Sequence, residues 1–337
     1  MRRFLCYTLV LTFMLTLCAC GRDIPVATEA SDPTSSTNAT TQTASAPETT
    51  PATEVVDETP ARPVPDNIMA HYKMKNDQGR FVVYGTDSLS RSQITEISFL
   101  DTLANMPDTA WDVSEAQDGR VMAWTEGTHL YIAGNGGVTL SEDANCLFGN
   151  FENVTAIHFN DCLYTDLVVD WNGFFDYCVS LKSLDLSFFN TDSAETMANL
   201  FNHCESLTAL DVSNFNTQYV RTMSQMFCGC YQLENLTLFS TSTANVHTFS
   251  EMFSGCEKLE SLDLLWMNTS NGISFSAMFK NCRALKHLDL SSFDFSLAER
   301  TNYMFYNCSA LTDIGCTITL RDDCNAEYMY EGSGLKP

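Results

Sequence analysis

The chain has 337 residues, with 42 acidic against 18 basic side chains and a net charge of −24. That balance argues against a nucleic-acid binder and against docking on anionic lipid faces, and it favours solubility. Hydrophobic residues make up 45% of the sequence, enough for a sizeable core, so a wholly disordered chain is excluded as well.

Residues 1–20 read as a targeting segment. Arg2 and Arg3 precede an apolar run from Phe4 to Leu17, too short and wrongly flanked for a spanning helix. The run ends in Leu17-Cys18-Ala19-Cys20, which resembles a bacterial lipobox. The resemblance implies that Cys20 is acylated and becomes the mature N-terminus. Each buried methylene of such chains contributes about 0.8 kcal/mol, so two or three chains anchor a protein stably. The competing reading is ordinary secretion with Cys20 a bystander. The expected location is the bacterial cell surface, lipid-anchored to the outer face of the membrane.

Residues 21–65 form a tether of Thr, Ser, Ala, Pro and Glu without aromatics, and carry seven of the nine prolines. Such a segment buries too little apolar surface to offset its ordering entropy. At about 3.1 Å per residue, about 45 residues reach up to roughly 140 Å, a stalk that lifts a domain off a membrane. An unselected low-complexity spacer explains the composition equally well.

Residues 66–145 predict a β-rich cap. Phe81-Val82-Val83-Tyr84, Ile94 to Phe99, Arg120 to Trp124 and Thr128 to Ile132 are strand-like, and Glu126-Gly127 and Asn135-Gly136-Gly137 mark turns. This cap is expected to cover the open apolar end of the first repeat unit.

Residues 146–337 are a repeat. Cys178, Cys204, Cys230, Cys256, Cys282 and Cys308 stand 26 residues apart, five of them preceded by a Leu-Phe or Met-Phe pair such as Leu200-Phe201 or Met252-Phe253. Apolar residues occupy plus three, six and eight, as in Leu207, Leu210 and Val212. Such units cannot bury their apolar faces alone, so they must stack. Phe201 and Cys204 are expected on one face of a short helical turn, and Leu210 and Val212 on the inner face of a strand. The units, as in Leu200-Phe201 to Thr217, resemble the leucine-rich repeat and, more closely, its BspA-like surface-protein variant, M-F-x-x-C-x-x-L-x-x-L-D-L-S-x-F-x-T. The resemblance implies an α/β repeat solenoid, a leucine-rich-repeat-like curved stack of about 26-residue units, and a role in adhesion without a named ligand. Units depart from the pattern at Thr237 and Thr241, and at Ile314, Gly315 and Cys316.

The repeat cysteines occupy apolar slots and are expected as packed, reduced thiols; a disulfide between neighbours such as Cys204 and Cys230 is the alternative. Cys228-Gly229-Cys230 suggests a metal only weakly, because Cys228 is expected to face water and Cys230 the core. Asp185, Asp211, Asp263 and Asp289 form an outward acidic row, either a calcium site or a solvated ridge bonded to nearby backbone. The six histidines form no H-E-x-x-H, and there is no G-x-S-x-G or phosphate-binding loop, so neither an enzyme nor a cofactor is expected. What remains is surface. Phe188, Phe239, Leu265 and Trp266 interrupt polar positions on the strand side and are the candidate protein-binding residues. Expected partners are host or neighbouring-cell surface proteins. The alternatives are a surface-coat or decoy protein without a dedicated ligand, and a glycan-binding accessory lipoprotein.

Overall fold

The computed structural model describes residues 66–72 and 75–335. The chain divides into Met1–Thr59 and Pro60–Pro337, and all described residues lie in the second unit. Cys20, the expected acylation site, and residues 21–65, the expected tether, therefore lie outside the described residues.

Glu96–Leu100 (β2), Val121–Glu126 (β4) and His129–Gly134 (β5) form the middle of a five-stranded sheet. Trp111–Asp112 (β3) flanks β4, and Ala156–His158 (β7) pairs parallel to β2. Strand β7 is the first strand-like segment of the repeat region, so this sheet carries the pairing from residues 96–134 into the repeats. Alternation puts Ile97 and Phe99 of β2, and Leu130 and Ile132 of β5, into the core with no exposed area. Ile68–Met69 (β1), Val138–Leu140 (β6) and Leu163–Tyr164 (β8) make a second, parallel sheet in the order β1-β6-β8.

The repeats do not form the expected α/β solenoid of leucine-rich-repeat type. The three-residue 3-10 turn Arg91–Gln93 is the sole helical element among the described residues. Strands in the repeats are two or three residues long and fall into small separate sheets. Ala209–Asp211 (β9) pairs with Asn235–Thr237 (β10), and Ser261–Leu262 (β11) with His287–Leu288 (β12). Between these pairs no continuous sheet runs.

The segment around each Phe-x-x-Cys is a wall of turns rather than a helix, for a backbone reason. In one unit, the N–H groups of Trp171, Gly173, Phe175 and Tyr177 donate to the carbonyls of Thr196, Ala198, Leu200 and Asn202 in the next. The intervening N–H groups of Phe174, Asp176 and Cys178 close local turns on Trp171, Gly173 and Phe175. Alternate peptides thus point along the direction of stacking, with N–H forward and C=O back. An α-helix would have aimed them all along its own axis. This geometry needs positive φ at fixed places. One column comprises Tyr177, His203, Gly229, Gly255, Asn281 and Asn307, with φ between 54° and 80°. Gly229 and Gly255 adopt it without strain, and the others accept a cost of about 1 kcal/mol each in exchange for the bonds between units. The same four bonds recur at seven junctions, from Ala144 through to Asn307.

Side chains repeat in phase on this frame. Phe148, Phe175, Phe201, Phe227, Phe253, Phe279 and Phe305 stack ring on ring, with centroids 5.5–5.7 Å apart and planes within 13° of parallel. The six repeat cysteines are free and fully buried. Each thiol donates to a Phe carbonyl of the preceding unit, as Cys230 Sγ does to Phe201 at 3.2 Å. That carbonyl also takes the N–H of Cys204 in its own unit. Cysteine therefore serves as a small apolar filler that also occupies a second lone pair, and burial pushes its thiol pKa well up.

Thr165, Thr191, Thr217, Thr243 and Thr269, also 26 apart, are all buried. The Thr191 hydroxyl donates to the carbonyl of Asn216 (3.1 Å) and accepts its N–H (2.7 Å), joining two units with one side chain. Thr191→Val keeps the shape and leaves both Asn216 groups unpaired. The expected loss is about 1–3 kcal/mol of unfolding free energy in urea. Thr208→Val, at an exposed position, should change it by less than about 0.5 kcal/mol.

Candidate protein-binding surface

The strand side of the repeats exposes side chains at regular intervals. Lys182, Thr208, Glu234, Glu260 and Lys286 form one row, and Ser183, Ala209, Asn235, Ser261 and His287 the next, all exposed. The backbone bonds between units hold these rows in register while their chemistry changes from one unit to the next. Cross-unit ion pairs bridge some of them: Lys286 to Glu260 at 2.9 Å and Lys258 to Glu234 at 3.4 Å.

The acidic row is occupied locally. Asp185, Asp211 and Asp289 each accept the N–H of the serine two residues on, at 2.9–3.1 Å, and Asp263 accepts that of Leu265 at 3.2 Å. The hydroxyl and N–H of Ser187 hold the Asp185 carboxyl below its ordinary range, and the N–H and hydroxyl of Ser213 and Ser291 do the same for Asp211 and Asp289. The row is a set of turn caps. Among the described residues no three His, Cys, Asp or Glu side chains come together as a metal-ligand group.

The four apolar candidates have different fates. Leu265 is 51% exposed. Trp266 is half-buried, its indole N–H donating to the Asp263 carbonyl at 3.0 Å. Its ring stands edge-on to Phe239, with centroids 5.0 Å apart. Phe239 is not a surface residue, having no exposed area. The reason lies two residues on, where Thr241 stands in the place that Phe215 holds one unit earlier. The Thr241 hydroxyl turns to the Thr217 N–H (2.9 Å), and Phe239 supplies the missing buried aromatic. Phe188 leans on Phe159 and Phe189, and Asn214 and Ser240 occupy its equivalent places before Trp266 is reached, so it does not join the Leu265–Trp266 patch. Beside Leu265 lies a shallow groove of about 430 Å³. Asp263, Asp289 and Asp313 line it together with Lys286 and His287.

The other cysteines also differ from expectation. Cys228 is half-buried rather than facing water, and burial pushes its thiol up to about 12. Cys230 points into the core, so the two thiols of Cys228-Gly229-Cys230 do not converge. Cys316 and Cys324 are only half-buried.

Sequence reasoning missed the polar groups set into the turn wall. Asp176 and Asn202 occupy equivalent places one unit apart, and Asn202 Nδ2 donates to the Asp176 carboxyl at 2.9 Å. Burial pushes the Asp176 carboxyl up to about 7, with the bonds from Asn202 and the Tyr177 N–H opposing the rise. His203 stacks on Tyr177 at 4.6 Å and lies over Gly229, where a Cβ would meet its Nδ1 at 2.8 Å. Arg91, 1% exposed, and Tyr84 reach the first repeat unit from the preceding segment. Arg91 was hidden from sequence reasoning because it is a single basic residue in a serine-rich connection between two strand-like segments. The 26-residue recurrence of the wall positions was the available signal for the rest.

Among the described residues no helix is long and apolar enough to cross a membrane. The model of a family described as Mycoplasma protein of unknown function, DUF285, matches residues 145–262 and 234–334. No curated protein and no solved structure matches the chain.

Proposed function

The chain belongs to the DUF285 family, whose description assigns no activity, and we propose that it is a lipid-anchored bacterial surface protein that holds a protein partner against the strand side of its repeats. The partner is a surface protein of a host or a neighbouring cell. The supporting observation is Leu265, half exposed beside Trp266 at the lip of the groove between residues 261–265 and 286–289. An apolar anchor beside a groove of mixed charge is the arrangement that protein interfaces favour. The leading sequence, with Cys20 as the acylated residue, supports display outside the cell, and the net charge of −24 supports a protein rather than a nucleic-acid partner.

Cells displaying the full chain should attach to matrix or partner cells. Leu265→Ser and Trp266→Ser together should lower that attachment about tenfold or more. Leu265→Ser alone keeps Phe239 covered and isolates the contact from any effect on folding. Unchanged attachment by both variants would reject this patch. Phe239→Ser is not a binding variant, because it opens the core.

A further inference from the structure

The groove beside Leu265 lies within the stack and is lined by three successive units, at residues 261–265, 286–289 and 313–315. Leu262, Leu264 and Leu288 form its apolar part, with half-exposed Leu265 at the lip. Its charges are unevenly matched. Lys286 is engaged by Glu260 at 2.9 Å, and one unit earlier Lys258 is held by Glu234 at 3.4 Å, so the glutamates of the strand side take the lysines. Asp263, Asp289 and Asp313 are exposed and form no ion pair among the described residues. Their carboxyls accept the N–H groups of Leu265, Ser291 and Gly315, which fixes their direction without neutralising them. Gly315 stands in the slot that Asp289 holds one unit earlier, and a Cβ there would collide with the Asp289 carboxyl. That carboxyl therefore leans over the backbone of the third unit, which also carries Asp313.

We propose that the partner segment captured here is basic: lysine or arginine side chains reach Asp263, Asp289 and Asp313, and an adjacent apolar side chain rests on Leu265 and Trp266. This inference rests on the reading of the patch as the binding surface and names the chemistry of its partner. Three unpaired carboxylates around an apolar lip complement cations that flank an apolar residue, and such matching speeds encounter and rejects wrong partners. An acidic segment would meet those carboxylates with the nearby lysine already engaged. With a net charge of −24, the chain also attracts a cationic surface from a distance and repels an acidic one, a second copy of itself included. Position supplies the selectivity. Asp185 and Asp211 belong to the same acidic row, but Asp211 stands two units from Asp263 with Thr237 between them, away from Leu265.

The test uses the full chain and a labelled peptide, GKRLKRLKG, followed by fluorescence anisotropy. Saturable binding is expected, with none for the acidic analogue GEELEELEG. Asp263→Asn, Asp289→Asn and Asp313→Asn together should weaken it about tenfold or more, each asparagine keeping the acceptor that caps its turn. Asp185→Asn with Asp211→Asn removes similar charge elsewhere in the row and should change it by less than about twofold. Leu265→Ser, or serine for the leucines of the peptide, should weaken it about fivefold. Absence of saturable binding, indifference to the triple substitution, or an equal loss from the Asp185 and Asp211 pair would overturn the proposal. Attachment of displaying cells separates this inference from the reading beneath it. If Leu265→Ser lowers attachment and the triple substitution does not, the patch stands and the basic partner is rejected. If Leu265→Ser and the triple substitution both leave attachment unchanged, both are rejected.

Discussion

Arg91→Met should destabilise the protein by about 3–5 kcal/mol, one of the largest effects open to a single substitution here. Arg91 is fully buried, yet it faces carbonyls rather than a carboxylate: Val82 at 2.9 Å through Nε, and Cys146 and Gly149 through Nη1. Its guanidinium also lies over the rings of Phe151 and Tyr84, at 4.9 and 5.2 Å. Burial alone lowers its pKa and so opposes the charge. What holds a cation there is the direction of the peptides behind it. Each junction of the turn wall adds four peptides with C=O pointing back toward the first unit. Their partial charges add as those of a helix do, and the negative end falls at residues 146–149. Methionine fills much of the volume and supplies no donor, leaving three carbonyls buried without the partner Arg91 gave them. Lysine has the charge without the planar fork and should recover part of the loss. Arg80→Met, at an exposed position, should cost less than about 0.5 kcal/mol. Urea unfolding of the three variants measures all of this. A loss of under about 1 kcal/mol for Arg91→Met would refute the account of the capped end.

The phase of the repeat was legible because burial is periodic. Phe201, Cys204, Leu207, Leu210 and Val212 are inside, and Asp211 is outside, as their spacing requires. The conformation joining Phe201 to Cys204 was not legible. A spacing of three residues on one face suits a helical turn, but it also suits overlapping turns with alternate peptides bonded to the next unit. What separates the two is the sign of φ at Tyr177, His203 and their equivalents. Those positions hold Tyr, His, Gly and Asn, side chains with no shared polarity or size, so no pattern advertises them. Helix was therefore expected, and with it an α/β solenoid, where the chain builds small sheets and turns. The candidate surface was legible in part. Leu265 is exposed, but Phe239 looked equivalent to Ser213 and Ser291 by position alone. Only the neighbouring loss of an aromatic at Thr241 explains why its ring turns inward. The threonine column was visible in the letters at 26-residue steps. Its purpose depends on which peptide of the next unit comes within reach of the hydroxyl, and that requires coordinates.

Stability should fall as pH rises from about 4 to about 7, and Asp176→Asn should remove that part of the fall. The Asp176 carboxyl titrates at about 7 in the folded chain against an ordinary value of 3.8. The folded state therefore holds this proton more tightly than the unfolded state does. Its contribution is complete below about pH 4, declines through the window and is gone once pH passes about 7. Each pKa step is about 1.4 kcal/mol, and discounting for partial exposure leaves roughly 3 kcal/mol at stake. The cause is desolvation: the carboxyl is set into the turn wall with Asn202 Nδ2 and the Tyr177 N–H as its favourable partners. Asn202 holds the same place one unit later, so the wall already accommodates an amide there. In Asp176→Asn the carbonyl oxygen still accepts from Asn202, and the burden of a buried charge disappears. The variant should match the parent near pH 4 and exceed it by roughly 3 kcal/mol at pH 8. Asp185, Asp211 and Asp289 shift in the opposite direction, so their contribution is lost only as pH falls below about 4, outside this window. Urea unfolding of parent and variant at pH 4, 6 and 8 isolates the one carboxyl by difference. A difference that stays constant across the three would mean that Asp176 is ionised in the folded chain throughout, and that water reaches this part of the wall.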